Sequence, residues 1–150
     1  MRVRWTPRLL RAALLCVSVP LLLHAQRDTA GFRTMGRASV GLPLGASVSV
    51  AAVRDRRRHS WPSPQGPFVG AEIGALGAAA NLGYVSALDG GATVFQASVL
   101  QWWGRGQNTY VGTEGRVMVF FASLGAGVYV RVVGDRGPAL LPVLTFGFGY

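Results

Sequence analysis

Charge is what this chain has least of. Only 14% of its residues are charged, against about 25% in ordinary soluble domains. Lysine is missing altogether, so all 15 basic residues are arginine. A soluble protein with so few charges would have trouble covering its surface, whereas a surface that meets lipid would not. There is one cysteine, Cys16, which excludes an intrachain disulfide and a thiolate metal cluster. Histidine occurs only as His24 and His59, and the carboxylates are scattered, so no metal-ligand spacing exists. No segment beyond the N-terminal run shows helical periodicity, and no long-period repeat occurs. The formal charge of +9 invites a nucleic-acid reading. Part of it belongs to the first eleven residues, however, and no basic face interleaved with aromatics accompanies it. Nucleic acid is therefore not an expected partner.

The N-terminal run is read as a secretory signal. Arg2, Arg4, Arg8 and Arg11 form a positive segment, and Ala12 to Leu23 is apolar apart from Ser18 and Pro20. That stretch is too short for a transmembrane helix, which needs roughly 20 residues. The sequence LLLHAQ then offers cleavage after Ala25. The small residue expected before a lipidated cysteine is absent at Leu15, so Cys16 is assigned to the leader. Residues 1–25 are thus expected to be a signal peptide and residues 26–150 one domain without cysteine.

What the rest of the chain has in abundance is glycine, 21 residues, roughly double average usage, set within short alternating segments. From Gly31 to Leu42, Ala38, Val40 and Leu42 oppose Arg37, Ser39 and Gly41. After a Pro43–Gly45 turn, Val48 and Val50 oppose Ser47 and Ser49. A polar stretch from Arg54 to Pro67 follows. From Phe68, Val69, Ala71, Ile73 and Ala75 oppose Gly70, Glu72 and Gly74. Beyond Gly77 the phase flips, with Leu82 and Tyr84 opposing Asn81 and Gly83. A flip means a turn or a bulge. A turn is expected, because one strand from Phe68 to Ser86 would far exceed the roughly 9–11 residues of a membrane strand.

The second half alternates more cleanly. After Asp89–Gly91, Phe95, Ala97, Val99 and Trp103 oppose Gln96, Ser98 and Leu100. Beyond a loop at Gly104 to Asn108, Val111, Val117 and Val119 oppose Gly112, Glu114 and Arg116. A short connection near Phe120 and Phe121 precedes Leu124, Ala126, Val128, Val130 and Val132, which oppose Ser123, Gly125, Gly127, Tyr129 and Arg131. The expected fold is therefore all-β: an antiparallel up-and-down transmembrane β-barrel of about eight strands.

Soluble sandwiches and lipocalin-like barrels also alternate. The polarity of the two faces separates them here, because the large apolar residues alternate with glycine, serine and isolated charges. Arg37, Glu72, Glu114, Arg116 and Arg131 all fall on the small-residue face and are expected to form a lumenal charge network. On the lipid side an arginine would cost about 2–4 kcal/mol near the midplane. Trp61, Trp102, Trp103 and Tyr110 lie near strand ends, where an interfacial aromatic girdle would be. Ordinary core packing is the alternative reading of these aromatics.

The last stretch, Ala139 to Tyr150, puts Leu140, Leu144, Phe146, Phe148 and Tyr150 on one face and Thr145, Gly147 and Gly149 on the other. Ending on an aromatic, with aromatics two and four residues earlier, is similar to the closing strand of small bacterial outer-membrane β-barrels. The resemblance implies a cell outer membrane of Gram-negative type as the destination. It also implies outer-membrane lipid and lipopolysaccharide as surroundings, and an assembly machinery that recognises Phe146, Phe148 and Tyr150. Members of that broad family act as structural proteins, adhesins, anchors or enzymes. His59, Ser60 and Asp55 are bunched within one arginine-rich loop rather than held on a rigid scaffold. The expectation is a structural or interaction role without enzymatic activity or cofactor; a lipid- or lipopolysaccharide-modifying outer-membrane enzyme and a secreted soluble β-domain are the alternatives. Counting back from a periplasmic C-terminus places the Arg54–Pro67 loop in the periplasm.

Overall fold

The computed structural model describes residues 31–55, 64–104 and 106–149. The expected leader, His59, Ser60, Trp61 and Tyr150 lie outside the described residues. Eight strands follow one another: β1 (Phe32–Leu42), β2 (Gly45–Arg54), β3 (Gly66–Gly74), β4 (Gly77–Leu88), β5 (Gly91–Trp102), β6 (Asn108–Val119), β7 (Ala122–Val133) and β8 (Leu140–Gly149). Each pairs antiparallel with the next, and β8 closes on β1, so the sheet is a closed up-and-down barrel. Closure satisfies the backbone groups that an open sheet would leave at its edges.

The phase flip near Gly77 is a turn. Ala75 and Leu76 connect β3 to β4, and Gly74 pairs with Gly77. The Ala75 and Leu76 amides also donate to Ala46 O and Leu44 O at 2.9 and 3.1 Å, tying this turn to the one between β1 and β2. With eight strands, the first and last described residues lie at one end of the barrel, called here the terminal end. The β2–β3, β4–β5 and β6–β7 connections share it. The opposite end carries the β1–β2, β3–β4, β5–β6 and β7–β8 connections.

Alternation dictates what faces where. Most outward positions are apolar: Phe95 is 69% exposed, Leu82 65%, and Val117, Leu124, Leu144, Phe146 and Phe148 are likewise exposed. Arg54, at the end of β2, is the one charged residue at an outward position among the described strands.

The inward side is layered. At the terminal end, Val53, Phe68, Val85, Ala92, Val94 and Met118 form an apolar plug, with Met35 and Ala51 packed against it. At the opposite end, Leu44, Ala79, Leu100, Trp102, Tyr110, Tyr129, Leu141 and Val143 form a second plug. Between them lies a polar belt that includes Arg37, Ser39, Ser47, Glu72, Gln96, Glu114, Arg116 and Thr145, all buried. An eight-stranded barrel has an interior just wide enough for side chains to fill. Glycine makes room for them: a Cβ on Gly112 would strike the Val128 carbonyl and the Tyr129 ring.

Two of the aromatics expected in a girdle lie inside instead. Trp102 and Tyr110 are 9% and 0% exposed, packed edge to face with ring centroids 6.1 Å apart. Both share the inward phase of Leu100, to which Tyr110 is register-paired. Arg131, the register partner of Tyr110, turns its guanidinium to Gly137 O in the β7–β8 connection, so large rings fill the space below it. Trp103 is half-buried at the strand end, its indole N–H donating to Ala75 O at 3.1 Å.

Candidate functional site

The polar belt is where chemistry-bearing side chains converge. Register brings its first half together. Arg37 on β1 pairs with Ser49 on β2, and Ser49 with Glu72 on β3, so Arg37 and Glu72 stand at one level across an intervening strand. Arg37 Nη2 lies 3.3 Å from Glu72 Oε2 and 3.4 Å from Oε1. Ser47 Oγ donates to Glu72 Oε1 at 2.6 Å, and Ser39 Oγ donates to the same oxygen at 3.2 Å. The two hydroxyls also meet each other at 2.8 Å. The β1–β2 turn sets this up, because Ser39 and Ser47 are register partners. These hydrogen bonds and the ion pair offset part of the cost of burying the carboxylate.

The second half is built on β6. Arg116 reaches back two residues, along the same inward face, to Glu114. Nη2 and Nε approach Oε1 at 2.7 and 3.2 Å. Thr145 Oγ1 on β8 donates to the same Oε1 at 2.9 Å, and Gln96 Nε2 on β5 donates to Oε2 at 3.0 Å. Gly125, on the intervening β7, is what admits this carboxylate. A Cβ there would collide with Glu114 Oε1 and Thr145 Oγ1.

Of the five residues expected in a lumenal network, the structure thus places Arg37, Glu72, Glu114 and Arg116 in the buried belt, as two ion pairs. It sets Arg131 apart. That residue lies near the opposite end, half-buried, with Nη1 donating to Gly137 O at 2.6 Å in the β7–β8 connection. Of the three residues expected in an assembly signal, Phe146 and Phe148 are exposed on β8, packed edge to face at 5.0 Å.

The belt also contains groups that sequence reasoning did not single out: Ser39, Ser47, Gln96 and Thr145. All four carry the inward phase of their strands, so a sequence signal existed. Nothing in the sequence said at what height along the barrel they would meet a carboxylate. Among the described residues, no group of three His, Cys, Asp or Glu side chains is placed to hold a metal ion. Comparison with protein-family models, curated proteins and solved structures finds no match to the chain.

Proposed function

We propose that this protein is a small outer-membrane β-barrel of Gram-negative type, with a structural or interaction role rather than an enzymatic one. One observation carries the reading: the polarity of the barrel is inverted relative to a soluble one. Its charged pairs are inside, and its outward face is a continuous belt of exposed Val, Leu and Phe. Apolar patches on soluble monomers rarely exceed a few hundred Å², and this one encircles the molecule. Strands of 9 to 12 residues, tilted as barrel strands are, span an apolar band of roughly 25 Å. In water such a surface would aggregate; in lipid it is matched to its solvent.

In this reading residues 1–25 direct export. Outer-membrane lipid and lipopolysaccharide surround the barrel, and Phe146, Phe148 and Tyr150 are presented to the assembly machinery. A non-enzymatic role is favoured because, among the described residues, the hydroxyl nearest a carboxylate, Ser47 at 2.6 Å from Glu72, is enclosed between the two apolar plugs. Substrate has no route to it. The same sealing disfavours a passive pore. The test is heat-modifiable gel mobility of the detergent-extracted protein, with and without boiling. A folded species of distinct mobility that collapses on boiling is expected. Recovery of the folded protein in aqueous buffer without detergent, and no mobility shift, would overturn the reading in favour of a secreted soluble β-domain.

A further inference from the structure

Between the charged belt and the terminal-end plug lies a cavity of about 40 Å³, lined on its polar side by Arg37, Ser49, Glu72, Asn81, Gln96 and Arg116. A water needs roughly 10–15 Å³ by this measure, so the space suits a monatomic ion with a water or two beside it. Its wall is not charge-balanced. Arg37, Arg116 and Glu72 contribute to it, whereas Glu114 does not and is turned toward Thr145 and Gln96. Glu114 still neutralises Arg116, so the belt as a whole is balanced, but this carboxylate stands back from the cavity while both guanidinium groups line it, which leaves the cavity wall locally positive.

The donors are also in place. The Arg37 side chain is 6% exposed. Its Nη2 is used by Glu72, while Nε and Nη1 have no hydrogen-bond partner in the protein. Leaving two guanidinium nitrogens and their N–H groups buried and unbonded is unfavourable, and an anion answers both the hydrogen bonds and the charge. Asn81 Oδ1, also without a partner, is an acceptor and suits an accompanying water. Toward the terminal end the cavity is walled by Met35, Phe68 and Met118. Unbranched methionines can move aside more readily than branched side chains.

We propose that this cavity is a binding site for one small monovalent inorganic anion of halide size, held by Arg37 with Arg116 as the second positive wall. The inference does not depend on the membrane reading, since it concerns only the barrel interior.

The test uses the full-length protein refolded in detergent, with thermal unfolding followed in sodium bromide and in sodium gluconate at equal ionic strength. Gluconate is too large for the cavity. Bromide should raise the midpoint saturably, by roughly 4 °C or more for a domain of this size. A general effect of bromide on apolar solvation would lower it. Ala51→Leu fills the cavity from β2 without touching either ion pair, and should abolish the difference between the two salts. Should that variant not refold, Met118→Phe intrudes from β6 and serves the same purpose. Excess broadening of the chloride NMR line by the wild-type protein, removed by added bromide, is expected independently of any variant. Equal midpoints in the two salts with no chloride broadening would show that the cavity takes only water, and would overturn the proposal. So would a bromide effect that survives in the filled variants, since it would then originate at the surface.

Discussion

Arg116 and Glu114 pair within a single strand: Nη2 lies 2.7 Å from Oε1, two residues back along the same inward face of β6. The other belt pair, Arg37 with Glu72, spans two strands that are not neighbours and is longer, at 3.3 Å. The first pair is therefore set by the pleat alone. The second needs three strands in correct register before it can form. Both are enclosed, so removing one partner leaves a buried charge uncompensated, which typically costs about 3–5 kcal/mol.

Glu114→Leu should accordingly destabilise the folded barrel by about 3 kcal/mol. Thr113→Leu, one residue away on the outward phase, should change stability by no more than about 0.5 kcal/mol. Urea unfolding of the refolded protein, followed by loss of the folded gel species, measures both. Equal effects would sink the inward assignment of Glu114.

For Arg37 and Glu72 the informative experiment is a double-mutant cycle. Arg37→Met and Glu72→Leu should each be strongly destabilising. The double variant, which removes both charges, should recover most of the loss, because an apolar pair can replace a buried ion pair at little cost. Additive losses would mean that the two side chains do not share an interaction.

Gly125→Val is expected to cost about 2 kcal/mol, because the added methyl groups must displace Glu114 and Thr145 from a packed interior. Gly36→Ala is the control. A Cβ there meets nothing within 4 Å, and the change should be neutral or slightly stabilising. Comparing unfolding midpoints of the two variants decides whether Gly125 is there to admit the Glu114 carboxylate.

An outward charge tests the surroundings of the barrel. Ala97→Arg and Val99→Arg place arginine within the apolar belt near the middle of β5, and each should cost about 2–4 kcal/mol in a bilayer. Thr109→Arg, near the end of β6, should cost less. In a barrel surrounded by water all three would be nearly neutral, so refolding yields and unfolding midpoints in lipid vesicles separate the two cases.

Sidedness can be read with single cysteines, since Cys16 belongs to the proposed leader. Ser60→Cys lies in the sequence between β2 and β3, and Gln107→Cys in the β5–β6 connection at the opposite end. In intact cells a membrane-impermeant thiol reagent should label the second and not the first, with both labelled after permeabilisation. The reverse pattern would place the arginine-rich loop outside.

Much of the fold is legible in the sequence, for a local reason. The pleat alternates side chains with a period of two, so the outward runs of Val, Leu and Phe and the inward runs of Gly, Ser and charge read directly from each strand. The flip at Gly77 marked a strand boundary, because a two-residue turn reverses the phase that a continuous strand would keep. From that followed eight strands, both ends of the described chain at one end of the barrel, and the inward direction of Arg37, Glu72, Glu114 and Arg116.

Height along the barrel axis was not legible, because period two says which side a residue faces and nothing about which residues of other strands lie beside it. Register decides that, and it is a property of the closed sheet. Arg131 shares the inward phase of β7. Yet it lies six residues beyond Gly125, the partner of Arg116, or roughly 20 Å along the strand. Its neighbour is therefore Gly137 O rather than a carboxylate. Trp102 and Tyr110 sit near strand ends, where sequence position suggested an interfacial girdle. Register stacks them against each other inside, where the lumen had to be filled because Arg131 turns away to Gly137 O. The level meeting of Arg37 and Glu72 across β2, and the room that Gly125 leaves beside Glu114, likewise exist only once the barrel has closed.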